Sequence, residues 1–280
     1  VIRGTEPEGI WQYWNSDGSK DFIFDYGKGL DRVRIAELEN RDGIFYKIGK
    51  YQAYSGIVTE SGGMKDYLLL GRFVAGKQDG QWVQWYRNGQ KEVDGVYYRG
   101  NKHGEWNLWY ENGQLKEKGD FDMGKADGVY KFWYDNGHLK EEKSYKKGIK
   151  NGKWTWWYKH DHNLNFTDGN WSYNGTSYKA EDGEELWKWW WYLNDNKEKE
   201  GYFTNGKRNG LWTWWYDTGF KKSEGSYLDD EQDGLWLYYN PDESIGEEIT
   251  FLGGQKDGRS TNWLTPEEKS EEKFYRNGKL

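Results

Sequence analysis

No cysteine occurs among the 280 residues, which excludes a disulfide framework and any Cys-ligated zinc or iron site. Proline occurs only 3 times, and hydrophobic residues make up only 35% of the chain. No apolar run approaches the roughly 18 residues a membrane helix needs, so direct insertion into a membrane is not expected. Charge of one sign is not concentrated either. Lys and Arg number 40 against 47 Asp and Glu, a net charge of −7 with the signs interleaved, so there is no basic stripe for a nucleic-acid partner. The start Val1-Ile2-Arg3-Gly4 is neither an initiator methionine nor a signal peptide. The chain is expected to be soluble, and either cytoplasmic or exported to a compartment such as the periplasm as a processed chain.

What the sequence does hold is aromatic: 20 Trp, 23 Tyr and 11 Phe, 19% of all residues. Burial must therefore be aromatic burial. The chain is also periodic. Gly80-Gln-Trp82, Gly104-Glu-Trp106, Gly128-Val-Tyr130 and Gly152-Lys-Trp154 recur every 24 residues, and the interval returns at Gly210-Leu-Trp212, Gly234-Leu-Trp236 and Gly258. The chain reads as one continuous repeat domain over 1–280, with a first repeat at 9–32, a degenerate one at 33–55 and regular repeats at 56–158. An insertion follows at 159–185, and regular repeats resume over 186–280.

Counting each repeat from its first Gly as position 0, bulky residues fall at 2, 4 and 6, the period of a strand. Positions 8 and 9 read Asn88-Gly89, Asn112-Gly113 and Asn136-Gly137, the signature of a two-residue type I′ hairpin turn. Such a turn sets position 2 opposite position 15, so Trp82 faces Gly95, Trp106 faces Gly119 and Trp212 faces Gly225. An indole lying across a strand glycine covers backbone that would otherwise be exposed. The fold class that follows is all-β: an elongated single antiparallel meander sheet of about eleven stacked 24-residue hairpins. Position 5 points to the opposite face and carries Trp85, Trp109, Trp133, Trp157, Trp191, Trp215 and Trp263, a ladder set among Lys and Glu. These seven are the candidate partner-binding residues, because exposed aromatic rows mark interaction surfaces; the same spacing equally suits rings that cover the second face of a one-layer sheet, helped by the stems of adjacent lysines.

The pattern GxWxxWYxNGxxxxxGxY, followed by xxGKxxG, resembles the MORN repeat, in particular its bacterial variant of tandem W-Y-x-N-G units, most typically from Phe45 to Tyr158. The resemblance implies stacked hairpins with roles in scaffolding, protein interaction and, for some members, membrane association; bacterial relatives are often labelled antitoxins. The leading expectation is a non-enzymatic scaffold or adaptor that engages a protein partner along its aromatic surface. The alternatives are a carbohydrate or cell-wall binding module, and an antitoxin or immunity protein that neutralises a toxin.

Motifs that look chemical read as structure. Gly119 to Ala126 and Gly201 to Arg208 nearly spell a P-loop, yet both lack the Ser or Thr that holds Mg²⁺ and both fall where the repeat expects a strand-to-strand turn. His160, Asp161 and His162 open the insertion with nothing nearby to complete a metal shell. Neither a cofactor, a metal nor a catalytic set is expected. Sequons at Asn165, Asn170 and Asn174 read as loop composition.

Overall fold

The computed structural model describes residues 9–14, 20–25, 27, 29–62, 65–159, 164–167, 170–173, 176–179, 196–265 and 267–280. Among them there is no α-helix, and a single 3-10 turn at Ile35–Glu37 interrupts the strands. Contacts divide the chain into two compact units, Val1–Asp127 and Gly128–Leu280. In each, most strands pair with their chain neighbours, and among the described residues neither unit's sheet closes into a barrel.

In the N-terminal unit the sheet runs through Asp31–Arg34, Gly56–Gly62, Lys65–Val74, Gly80–Trp85, Lys91–Tyr98, Asn101–Trp109 and Leu115–Asp122. The order is antiparallel throughout, except that Asp31–Arg34 lies parallel to Gly56–Gly62. This is one departure from a pure meander. The degenerate stretch supplies another, because Leu38–Arg41 and Ile44–Lys47 form a separate two-stranded hairpin. That hairpin brings Phe45 against Phe73 at 4.9 Å and, with Tyr54, closes one end of the aromatic face.

In the C-terminal unit the meander runs from Gly128–Trp133 through Leu139–Lys146, Ile149–Trp157, Lys197–Thr204, Lys207–Trp215, Lys221–Leu228, Glu231–Tyr239, Ile245–Leu252 and Gln255–Thr265 to Glu268–Tyr275. Ile149–Trp157 pairs directly with Lys197–Thr204, with Trp154 opposite Gly201. The interruption is therefore 158–196, longer than the 159–185 read from the spacing, and it leaves the sheet at the tip of one hairpin. Part of it, Leu164–Thr167, Asn170–Tyr173 and Thr176–Lys179, builds its own three-stranded antiparallel sheet.

The Asn-Gly tips differ from expectation. The Tyr110 N–H donates to the Gln114 carbonyl at 2.8 Å and the Gly113 N–H to the Tyr110 carbonyl at 2.9 Å, and of Asn112 and Gly113 only the Gly has positive φ, +84°. This is a type I turn closed by a left-handed glycine, a three-residue loop rather than a two-residue type I′ turn. The cause lies in the asparagine. Its Oδ1 accepts the N–H two residues on, at Gln90, Gln114 and His138, an Asx contact that keeps its own φ negative. The longer loop would slip the register by one residue, and a bulge at position 12 (Glu92, Lys116, Lys140, Glu198 or Lys222) restores it. Position 2 therefore still pairs with position 15 in the same hairpin, as at Trp106 and Gly119.

True type I′ turns occupy the opposite edge, at Arg99-Gly100 (φ +51° and +83°), Met123-Gly124 (+46° and +81°) and Asn205-Gly206 (+51° and +89°). The two P-loop look-alikes are the last two of these turns. Beyond each turn the pairing of neighbouring repeats jumps, from Val96↔His103 to Asp94↔Asn107, around the position 0 glycine Gly104 at φ +69°. This bulge aims the next indole backward.

The indole consequently lies on the glycine of the preceding repeat and not on its own hairpin partner. A methyl group added to Gly71, Gly95, Gly201 or Gly225 would collide with the ring of Trp82, Trp106, Trp212 or Trp236 respectively. Three of these rings are also tethered at the nitrogen: Trp106 Nε1 donates to the Val96 carbonyl at 3.1 Å, Trp212 to Tyr202 at 3.2 Å and Trp236 to Ser226 at 3.1 Å. One pair inverts the rule. Where the indole is replaced by Ser260, the preceding position 15 is Ile249, and both are buried. We expect Gly225→Ile alone to cost at least about 3 kcal/mol, since a branched side chain cannot share the space with Trp236. Combined with Trp236→Ser, it should cost clearly less than the sum of the two single changes; a double-mutant cycle of urea melts measures the coupling.

Candidate binding faces

The two faces of the repeats differ in chemistry. Positions 2, 4 and 17 form the aromatic face. In the N-terminal unit Phe73, Trp82, Tyr97, Trp106 and Phe121 follow one another with centroids 4.9 to 6.4 Å apart. In the C-terminal unit the row is two rings deep, because Trp156, Trp214 and Tyr238 at position 4 stand beside Trp154, Trp212 and Trp236. Cations shield much of this face. Lys102 lies 4.3 Å from the Trp106 ring and 4.9 Å from Phe121, Lys150 lies 4.9 Å from both Trp154 and Phe203, and Arg208 lies 3.9 Å from Tyr227. Stems of Lys and Arg pack on rings while the charge remains at the surface. Burial over these rings pulls Lys102 below the ordinary lysine pKa.

Positions 1, 3, 5, 14 and 16 form the ladder face. Tyrosines at position 6 bind its repeats together: Tyr86 Oη donates to the Trp109 carbonyl at 2.8 Å, Tyr134 to Trp157 at 2.9 Å, Tyr158 to Trp215 at 2.9 Å and Tyr216 to Tyr239 at 2.8 Å. Tyr158 and Trp215 meet as in any adjacent pair of repeats, although the interruption separates them in sequence. Asn88 adds a similar link, its Nδ2 donating to the Glu111 carbonyl at 2.7 Å. The W-Y-x-N-G motif is thus a set of contacts to the next repeat.

The ladder tryptophans do not share one environment. Trp85 is buried in a core with Phe24, Ile57, Leu70 and Val83, so it cannot anchor a partner. Trp109, Trp133, Trp157, Trp215 and Trp263 are half-buried. Trp191 lies outside the described residues, as do His160, Asp161 and His162. Lysines at position 11 pack beside the rings and pair with acids at position 14. Lys91 Nζ is 5.4 Å from the Trp109 ring and 2.9 Å from Asp94, while Lys197 is 5.5 Å from Trp215 and 2.6 Å from Glu200.

Glu224 is held from two sides. Burial pushes its pKa up, but hydrogen bonds from Lys221 Nζ and from Tyr239 Oη at 2.7 Å outweigh this and leave it below the ordinary value. Tyr239 is pushed up to about 12, first by burial and then by its bond to Glu224.

Sequence reasoning missed a third feature, a row of exposed aliphatic residues on the ladder face of the C-terminal unit. Leu211 is 55% exposed, Leu228 60%, Leu235 54% and Leu252 61%, with Tyr202 at 50%. Positions 1, 16 and 18 vary between repeats, so period alone did not single them out.

Stacked hairpins locked by aromatic side chains, with one cation-covered face and one ladder face, define a β-hairpin repeat protein. The MORN repeat variant matches residues 102–123 and 126–147, each match spanning one hairpin from just after one type I′ turn to the next. Two of the chain's hairpins thus match this repeat type. No curated protein matches the chain. Among the described residues no helix is long and apolar enough to cross a membrane.

Two predictions follow from the burial and ionisation on these faces. Trp212→Ala should cost about 3 to 5 kcal/mol, as for any buried large aromatic, and Trp215→Ala appreciably less; denaturant melts compare them. The raised Tyr239 pKa contributes stability that is fully present below the unfolded tyrosine value near 10 and is lost as pH rises toward about 12. Glu224 works at the other end, its contribution present above the unfolded carboxylate value and lost as pH falls through its lowered folded value. Tyr239→Phe should flatten the alkaline limb of a stability-pH curve.

Proposed function

We propose that the chain is a non-enzymatic protein-binding scaffold, and that the ladder face of its C-terminal unit is the docking surface. One observation carries this reading. In the N-terminal unit the same face is already occupied, because the hairpin of Ile10–Trp14 and Lys20–Asp25 lays Phe24, 1% exposed, onto Ile57, Leu70, Val83 and Trp85. Those residues hold positions 1, 14, 3 and 5. In the C-terminal unit the matching positions 1 and 5 present Leu211, Leu235 and Trp215 to solvent or half to solvent.

The chain thus carries its own example of what fits this face: an extended polypeptide that inserts an aromatic side chain beside the position 5 ring. Exposed apolar side chains recurring along one face in this way mark an interaction site. Glu200, Glu224 and Glu248 at position 14 are paired within the chain, with Lys153 and Lys197, with Lys221 and with Arg259, so an extended partner segment with apolar side chains fits best. An antitoxin or immunity role would be one case of this reading, with a toxic protein as the partner. A glycan is disfavoured, since aliphatic leucines offer no sugar-stacking plane.

The double variant Leu211→Lys, Leu235→Lys tests the proposal. Both side chains are more than half exposed, so stability should change by no more than about 0.5 kcal/mol per site. Quantitative pull-down from the native host should show a specific protein retained by the parent chain and lost with the variant. A partner held equally by both would move the surface elsewhere, and glycan-array binding without a protein partner would replace the scaffold by a carbohydrate module.

A further inference from the structure

The hairpin seated on the ladder face of the N-terminal unit covers a patch that differs from the rest of that face. Thr59, Leu70, Val83, Asp94, Asn107 and Lys118 are successive cross-strand partners in one transverse row. Leu70 and Val83 are fully buried, and from Asp94 onward the row is polar or charged. Position 14 holds charge at Asp94, Lys118, Glu142 and Glu200, whereas beneath the hairpin it holds Leu70. The apolar stretch is thus matched to Phe24, which packs on Leu70 and Val83 together with Ile57 and Trp85.

Side chains, and not strand pairing, hold the hairpin in place. Among the described residues Ile10–Trp14 and Lys20–Asp25 pair with each other alone, so no backbone ladder joins them to the sheet below. Phe24 sits on the apolar patch, and at the rim Asp25 lies 3.6 Å from Arg72, which Asp79 holds more closely at 3.0 Å. Docking also carries a cost, because Gln12 Nε2 is buried without a hydrogen-bond partner. The sheet below has its own ladders and a separate core on its other face, built on Phe73, Trp82 and Trp106. A two-stranded hairpin is at best marginally stable alone, and one joined by side chains to a self-supporting sheet opens locally.

We propose that this hairpin is a releasable internal ligand, and that the patch beneath it is a second docking site, filled by an extended partner segment that sets an aromatic side chain in the place of Phe24. Release uncovers Ile57, Leu70, Val83 and the ring of Trp85, which is closed to any partner while the hairpin is seated. The kind of partner rests on the docking reading above; the release rests on the hairpin alone. A tethered occupant competes at high effective concentration, so the intact chain keeps this site closed to weak partners and offers them the C-terminal surface.

The test uses the full chain. In the parent, native-state hydrogen exchange should show the backbone amides of Lys20–Asp25 exchanging about a hundredfold or more faster than those of Gly80–Trp85. The binding probe is a peptide of residues 9–27 closed head to tail, a cycle the chain already approaches, since the Gly9 N–H donates to the Gly27 carbonyl at 2.9 Å. Phe24→Asp in the chain should release the hairpin and admit this peptide saturably. The readout is the ¹⁵N indole resonance of Trp85, assigned by its disappearance in Trp85→Phe. At that resonance the parent chain should bind at least about a hundredfold more weakly, and a peptide carrying Phe24→Ala should not bind.

Exchange of the hairpin amides only through global unfolding would overturn the proposal. So would loss of protection in Gly80–Trp85 on introducing Phe24→Asp, since the hairpin would then be an obligatory part of the core. A folded Phe24→Asp chain whose Trp85 resonance ignores the peptide would overturn the second site. Peptide binding that leaves Trp85 unmoved and is lost with Leu211→Lys, Leu235→Lys would also remove the second site while supporting the docking reading above. Peptide binding at Trp85 with no leucine-dependent partner in the pull-down would do the reverse.

Discussion

Everything regular in this protein depends on an indole laid over the backbone of the repeat before it. A sheet one layer thick has no second sheet to bury its apolar side, so the rings must cover one another and the strand beneath them. Trp82, Trp106, Trp212 and Trp236 achieve this because position 15 of the preceding repeat is glycine, and because the bulge at the position 0 glycine turns the ring backward. In Trp106, Trp212 and Trp236 an Nε1 tether to the carbonyl at position 16 then fixes the orientation. Each repeat is completed by its neighbour, and a single hairpin would leave its indole without a floor.

The ladder face repeats the logic with hydrogen bonds. A tyrosine hydroxyl from one repeat reaches the position 5 carbonyl of the next, and the turn asparagine spans the same step. These links tolerate the interruption at 158–196, since Tyr158 finds Trp215 as though nothing intervened. A long excursion at a hairpin tip adds little loop-closure cost and leaves the strand pairing untouched. The two units differ in what covers these faces. The N-terminal unit carries hairpins over both, through Phe24 on one side and Phe45 with Tyr54 on the other, whereas the C-terminal unit presents leucines.

Period and alternation made the strands, the hairpin register and the separation of aromatic and charged faces legible from the residues alone. The pairing of Trp106 with Gly119 was read correctly, but the ring lies over Gly95, because a backbone register says nothing about which way a side chain leans past a bulge. The Asn-Gly tip was misread for a related reason. Asn-Gly suits type I′ geometry, and only the Oδ1 contact to the residue two places on selects the type I turn with its added glycine. The stretch 33–55 kept no period because it folds as a cap with a parallel strand. Trp85 sat on the ladder by spacing and in a core by tertiary packing, since the hairpin that buries it is remote in sequence. The exposed leucines are departures from the repeat, and a search for what recurs passes over them.

The direction of the indole is the claim on which this account rests, and the chemical shift of a glycine reads it directly. A proton held beneath an aromatic ring moves strongly upfield, so the Hα protons of Gly95 should resonate far upfield of an ordinary strand glycine. Trp106→Leu, in the following repeat, should return them to the normal range, while Trp82→Leu, in the same hairpin, should leave them shifted. The opposite pattern, with the shift lost in Trp82→Leu and kept in Trp106→Leu, would mean that each repeat covers its own backbone and that the coupling between repeats described here does not exist.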